Sequence, residues 1–333
     1  MHRTLTTLGS LLFALPFARA GETPAVPAAP VPVVLDTDIG DDIDDTWALA
    51  MLLNSPELDL KLVTTATQDT VYRAKIVARL LEVAGRTDVA VGVGLPTRMD
   101  PKHRCQFPWV ADYDLARYPG KVHEDGVGAL VEAVMGSPEP VTLVGIGPLP
   151  NVAAALDREP GIARRARFVG MHGSVRLGYD GGSKIAAEYN VKADAAACRR
   201  VFAAPWRDAT ITPLDTCGLV RLKGEKYRAV AESPERLARA VIENYEIWKK
   251  NGGWVKEAGV SSVLFDCVAV YLAFANELLH MERLGLRVTD EGLTVEDSAG
   301  PKVNCALKWK DLGAFEDLVA RRVAGEGRAD GAL

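Results

Sequence analysis

The chain has no run of lysines and arginines, no CxxC pair and no internal repeat, and past its first twenty residues no apolar stretch approaches eighteen residues. Each gap excludes a class of protein. Without a basic run, and with a net charge of −5 at pH 7, the surface is poorly suited to nucleic acid or an anionic membrane. Without CxxC, the five widely spaced cysteines (Cys105, Cys198, Cys217, Cys267 and Cys305) make neither a zinc ribbon nor a disulfide-dense scaffold. Cys198, Cys267 and Cys305 stand in apolar segments and read as buried, inert thiols. Without a long apolar run, the body of the chain is expected to be soluble. What is present, 333 residues of which 48% are apolar and 25% charged, is ordinary globular composition with material for a large core.

The two ends read differently from the middle. Arg3, the apolar run Leu5 to Phe17 and the small-x-small pattern Ala18-Arg19-Ala20 predict a secretory signal peptide over 1–20, and so a periplasmic or secreted protein. Its removal takes away Arg3 and Arg19 and no acid, moving the net charge from −5 to −7. An odd cysteine count in an exported protein leaves at least one free thiol. Residues 21–32 (GETPAVPAAPVP) read as a Pro/Ala linker, 33–322 as one domain uninterrupted by linker composition, and 323–333 as a flexible tail. Inside the domain, strand-like runs (31–38, 60–67, 89–94, 141–147, 166–173, 209–215) alternate with helical patterns (44–54, 71–84, 150–157, 193–204). This alternation predicts an α/β fold, an open and mainly parallel sheet flanked by helices. Residues 95–122 read as a long surface loop, 251–262 as a Gly-rich loop after a helix over 233–250, and the part beyond 285 as a β-rich segment with a closing helix.

The densest chemistry lies at 36–45, where Asp36, Asp38, Asp41, Asp42, Asp44 and Asp45 fall within ten residues. Carboxylates this close raise one another's pKa and repel, so they call for a cation. Val33, Val34 and Leu35 read as a buried strand, Gly40 as the turn leaving it and Trp47 to Leu53 as a helix. The acids therefore gather where a strand ends and a helix begins, the usual site position in an open α/β sheet. Asp36-Thr37-Asp38 also matches the start of magnesium phosphatases of the haloacid dehalogenase type, but Gly40 stands where those carry Thr or Val. A calcium loop of the EF-hand type needs a Glu at its twelfth position, and Trp47 is there instead.

Four blocks in order resemble the inosine-uridine-preferring nucleoside hydrolases: DTDIGDDIDDTWALA (36–50), VTLVGIGPLPNVAAAL (141–156), FVGMHGS…AAEYNVKADAAACRRVF (168–202) and SSVLFDCVAVYLAF (261–274). The resemblance implies a Ca²⁺ ion held by Asp38, Asp45, the Ile146 carbonyl and Asp266, with Asp38 also the general base toward water. It further implies that Asp44, Asp69, Glu188 and Asn190 contact substrate, that the substrate is a small ribosyl compound, and that the protein assembles as a dimer or tetramer. Asp36 is expected to orient the cation ligands from behind. Two extra residues after Gly40 leave Asp42 as an alternative to Asp44 or Asp45, and helix capping as an alternative role for Asp44.

Departures from the family pattern concern what leaves. Phe265 stands where nonspecific members carry the His proposed to protonate the base, Asp69 stands for an Asn, and Gly182 for an Asn that recognises the 5′-hydroxyl. Trp109, Tyr113 and Trp254 are candidates to stack a base. His123 matches a family His stretch only in part, and His172 reads as packing. The expected activity is Ca²⁺-dependent hydrolysis of a ribosyl N-glycosidic bond. The alternatives are a hydrolase of the same fold adapted to another glycoside, and a calcium-dependent sugar-binding protein without turnover.

Overall fold

The computed structural model describes residues 29–326; the expected signal peptide, most of the linker and the end of the tail lie outside them. Ten strands form one sheet: β1 (Val31–Thr37), β2 (Leu58–Thr65), β3 (Ala90–Val93), β4 (Val122–His123), β5 (Val141–Gly145), β6 (Ala166–Met171), β7 (Ala209–Thr212), β8 (Leu279–Val288), β9 (Thr294–Glu296) and β10 (Lys302–Trp309). Their order is β4-β3-β2-β1-β5-β6-β7-β10-β8-β9. From β4 through β7 to β10 every pairing is parallel; β8 alone runs against the rest, pairing antiparallel with both β10 and β9. The mainly parallel sheet is thus as expected, extended at one edge by β4 and at the other by the reversed strand β8 and by β9.

Strand β1 is central, and residues 33–37 are buried on both faces, as a parallel strand covered by helices requires. Helices Asp44–Leu53, Thr70–Ala84 and Arg236–Lys250 pack on one face and Gly126–Gly136 and Pro150–Arg158 on the other, around two apolar clusters. The helix Asp44–Leu53 is buried on every side, which explains its nearly unbroken apolar sequence after Thr46. Between β1 and β5 the strand order reverses, so the connections leaving their C-terminal ends diverge and open a crevice.

Several expected boundaries shift. Strand β1 begins at Val31, as the run over 31–38 predicts, so it takes in the last two residues of the expected linker, and the closing helix Leu312–Val323 reaches one residue into the expected tail. Residues 95–122 are not plain loop: a 3₁₀ turn Pro101–His103 and a short helix Phe107–Val110 sit in it. The Gln106 side-chain amide binds both Thr46 Oγ1 and Asn244 Oδ1 at 2.9 Å, fastening this segment to two core helices. That contact joins residues far apart in sequence, so local composition could not reveal it. All five cysteines are buried and free.

Candidate active site

The C-terminal ends of β1, β5 and β6 deliver Asp38, Ile146 and Met171 to one cavity of about 470 Å³, a size suited to a small ligand. Close approach of two of these ends depends on Gly147. A Cβ there would lie 2.7 Å from Asp38 Oδ1 and 2.9 Å from the Asp38 backbone nitrogen. Gly40 turns the chain out of β1 at φ +113°, and a Cβ on it would strike the Tyr72 ring at 2.8 Å.

After this turn the helix Asp44–Leu53 begins, with Ile43 at its N-cap and Asp44 and Asp45 in its first turn. The N-cap alternative for Asp44 therefore does not hold. Helix N-termini favour negative charge, and Asp266 opens a second helix, Cys267–Leu272, packed against the first. Oxygens of Asp44, Asp45 and Asp266 all lie within 4.8 Å of one another, and the three residues are buried. Asp42 lines the cavity but is outside this trio. Burial first, then repulsion from neighbouring aspartates including Asp38, pushes all three carboxyls well above their ordinary range. Thr37 Oγ1 donates to Asp45 Oδ1, fixing that side chain to β1.

Asp38 stands beside the trio. Its carboxyl is raised to about 6 by burial, against the pull of Arg73, whose Nη2 is 3.9 Å away. Arg73 is itself buried and held by the carbonyls of Ile39 (2.9 Å) and Thr67 (3.0 Å). Sequence reasoning missed it; an arginine on an otherwise apolar helix face was the available signal. Behind Asp38, Asp36 Oδ1 accepts from Thr64 Oγ1 at 2.5 Å and Asn151 Nδ2 at 2.8 Å. It does not line the cavity, and burial lifts it to about 7.

Glu188 and Asn190 meet the trio from the far wall. Glu188 accepts from the backbone N–H groups of Gly173 (3.0 Å), Asn190 (2.7 Å) and Val191 (3.1 Å), yet burial outweighs these bonds and raises it to about 7. Asn190 Nδ2 donates to the carbonyls of Ile146 (3.0 Å) and Met171 (3.1 Å). The rim above carries Tyr179, Asp180, Tyr189, Arg221, Trp254, Phe265 and, from the 95–122 segment, Asp41's partner His103. None of these but Trp254 and Phe265 was singled out from sequence.

Asp69 is a correction: it is not among the cavity's lining residues. Its carboxylate caps the helix Thr70–Ala84 by accepting from Tyr72 N at 3.0 Å and pairs with Arg104 at 3.5 Å. Trp109 and Tyr113 likewise face elsewhere; Trp109 is buried and donates to Glu243 at 3.1 Å. His123 lies on edge strand β4, away from the cavity. His172 packs beneath it among Phe168 and Phe202, its Nε2 3.1 Å from the Gly147 carbonyl, and burial lowers it to about 4, so it is neutral.

Comparison with known proteins gives a consistent result. A family model described as inosine-uridine preferring nucleoside hydrolase matches residues 33–316. A pyrimidine-specific ribonucleoside hydrolase of Salmonella newport is 28% identical over 88% of this chain and 98% of its own length. A non-specific ribonucleoside hydrolase of Escherichia fergusonii is 35% identical over 52% of this chain and 58% of its own. A purine-preferring ribonucleoside hydrolase from Gardnerella vaginalis shares the fold at a TM-score of 0.74 and 20% identity, over 89% of this chain and 99% of its own. These three relatives differ in the base they prefer.

Proposed function

The chain belongs to the inosine-uridine preferring nucleoside hydrolase family, and from that premise we propose that it cleaves ribonucleosides with the aid of Ca²⁺, Asp38 acting as general base. It is an enzyme of N-glycosidic bond hydrolysis. The observation that carries the finer reading is the buried carboxylate trio of Asp44, Asp45 and Asp266 with Asp38 beside it. Such a group of acids, all oxygen and crowded enough to resist ionising together, fits a hard dication. Asp38, Asp45, Asp266 and the Ile146 carbonyl are the residues that would hold it, and Asp44 lies close enough to share the task. When bound, the ion neutralises these carboxylates and makes a nearby water more acidic.

Asp38 would take the proton of the attacking water. Its carboxylate lines the cavity beside the trio, within reach of a water held there. The water oxygen then bonds to the anomeric carbon as the bond to the base breaks. Positive charge develops on the sugar, and Asp44 and Glu188 are the acids placed to stabilise it. Asn190, whose NH₂ group is engaged with Ile146 and Met171, would offer its amide oxygen to a sugar hydroxyl. We further propose export, on the signal-like residues 1–20.

Release of reducing sugar from a panel of ribonucleosides, with and without EDTA, tests this reading. The expected result is release that chelation abolishes and added Ca²⁺ restores. Cleavage indifferent to chelation would remove the cation from the account. Cleavage only of other glycosides would assign the cavity to a different substrate class.

A further inference from the structure

When an N-glycosidic bond breaks, its electron pair stays on the heterocyclic base, which leaves poorly until it is protonated. The carboxylates of the floor are committed to the cation and the sugar, so a proton for the base has to come from the rim. Phe265, next to Asp266, has none to give. Burial raises the phenols of Tyr179, to about 12, and Tyr189 further, which makes them poor donors. Arg221 is paired with Asp180 at 3.2 Å, and a guanidinium does not release a proton in a protein.

His103 differs from all of these, and among the described residues it is the one imidazole lining the cavity. Its Nδ1 lies 2.5 Å from Asp41 Oδ2, and the Tyr189 hydroxyl donates to the same oxygen at 3.5 Å. Both partners are held in place. Trp248 Nε1 donates to the Asp41 carbonyl at 3.0 Å. Cys105 N–H, two residues beyond His103, donates to the Gly40 carbonyl at 3.1 Å. A carboxylate on Nδ1 fixes the ring's orientation and leaves Nε2 as the nitrogen free to deliver a proton.

We propose that His103, oriented by Asp41, supplies the proton that lets the base depart. This rests on the reading of the cavity as a ribonucleoside hydrolase site. As the bond between the anomeric carbon and the base nitrogen breaks, the electron pair stays on the base and Nε2–H protonates it, leaving a neutral imidazole. The water oxygen bonds to the anomeric carbon, and the water's proton goes to Asp38. One proton is lost at His103 and one gained at Asp38, and exchange with solvent resets both. Asp41 is a positioning residue in this scheme.

The test compares a ribonucleoside with p-nitrophenyl riboside, whose phenolate leaves without protonation. In His103→Ala and His103→Gln, kcat on the ribonucleoside is expected to fall about 100-fold or more, and on the nitrophenyl riboside less than about tenfold. Activity on the second substrate also reports that the variant is folded. Asp41→Asn should show the same split at smaller size, with KM little changed. Equal losses on both substrates would assign His103 to structure alone, and a ribonucleoside kcat within about threefold of wild type would remove it from the reaction. A wild-type enzyme that cleaves the nitrophenyl riboside but no ribonucleoside would instead defeat the substrate reading, and this proton donor with it.

Discussion

At the floor of the cavity, the polar groups occupy positions that strand ends and the helices packed on the sheet fix. Asp38 and Ile146 follow adjacent parallel strands, Asp44 and Asp45 open a fully buried helix, and Asp266 opens the helix packed against it. At the rim, His103, Tyr179, Arg221 and Trp254 come from turns and connections, and Trp254 is 55% exposed. The floor carries the crowded carboxylates, Asp38 beside Asp44, Asp45 and Asp266. The rim carries Phe265 and a histidine-carboxylate pair from a segment that is anchored by contacts distant in sequence. The difference suggests a division of labour in which rigid elements fix how the bond is broken and connections fix what departs.

The largest effect expected from breaking this division is at Asp38. Asp38→Asn keeps the shape and removes the base together with one charged ligand, so kcat should fall by roughly 10²–10⁴-fold even at saturating Ca²⁺, with a cooperative melt retained. Steady-state kinetics beside a thermal melt would check this, and near-normal turnover would take Asp38 out of its role.

A second effect separates floor from rim by pH. Burial raises Asp36 and Glu188 to about 7 and Asp38 to about 6, above the ordinary carboxylate range. In the cation-free protein, the folded state therefore holds protons that the unfolded state releases. The stability these groups contribute is fully present below about pH 4 and is lost as pH rises through 6 to 7. A cation needs the ionised ligands, so the stabilising shift on adding Ca²⁺ should grow over the same window. Melts between pH 4.5 and 7.5, with and without Ca²⁺, measure both trends; a Ca²⁺ shift that shrinks with rising pH would contradict the floor as described.

How much of this was legible in the chain follows the same boundary. Val33 to Leu35, the Asp cluster and the Asp266 helix are local patterns, and a strand end feeding a helix start is readable from neighbours in sequence. The helical pattern is read from residue 44, and the helix does begin at Asp44. Arg73 and His103 were not legible, because what defines them is a partner elsewhere in the chain: Asp38 for one and Asp41 for the other. Asp69 was misjudged for the converse reason. Its position in the family pattern suggested a ligand contact, while its immediate neighbours, Thr70 to Tyr72, turn it into a helix cap.

Smaller effects sharpen the contrast. Trp254 lines the rim and meets Trp248 edge-on at 4.8 Å. Losing one aromatic contact of about 1 kcal/mol in Trp254→Ala should raise KM a few-fold and leave kcat almost unchanged. A kcat loss as large as that of a floor variant would erase the division between the two regions. The smallest kinetic effect is expected at Asp69. Asp69→Ala should cost about 1 kcal/mol of stability through the lost cap, with KM unaltered; a marked rise in KM would return Asp69 to the substrate site.

The central claim, that the floor is a cation site built from these carboxylates, is tested most directly by calorimetric titration of Ca²⁺ into chelator-treated protein and its Asp45→Ala and Asp266→Ala variants at pH 7.5. One ion is expected per wild-type chain, with binding greatly weakened in both variants. No binding by the folded wild type, or undiminished binding by the variants, would contradict it.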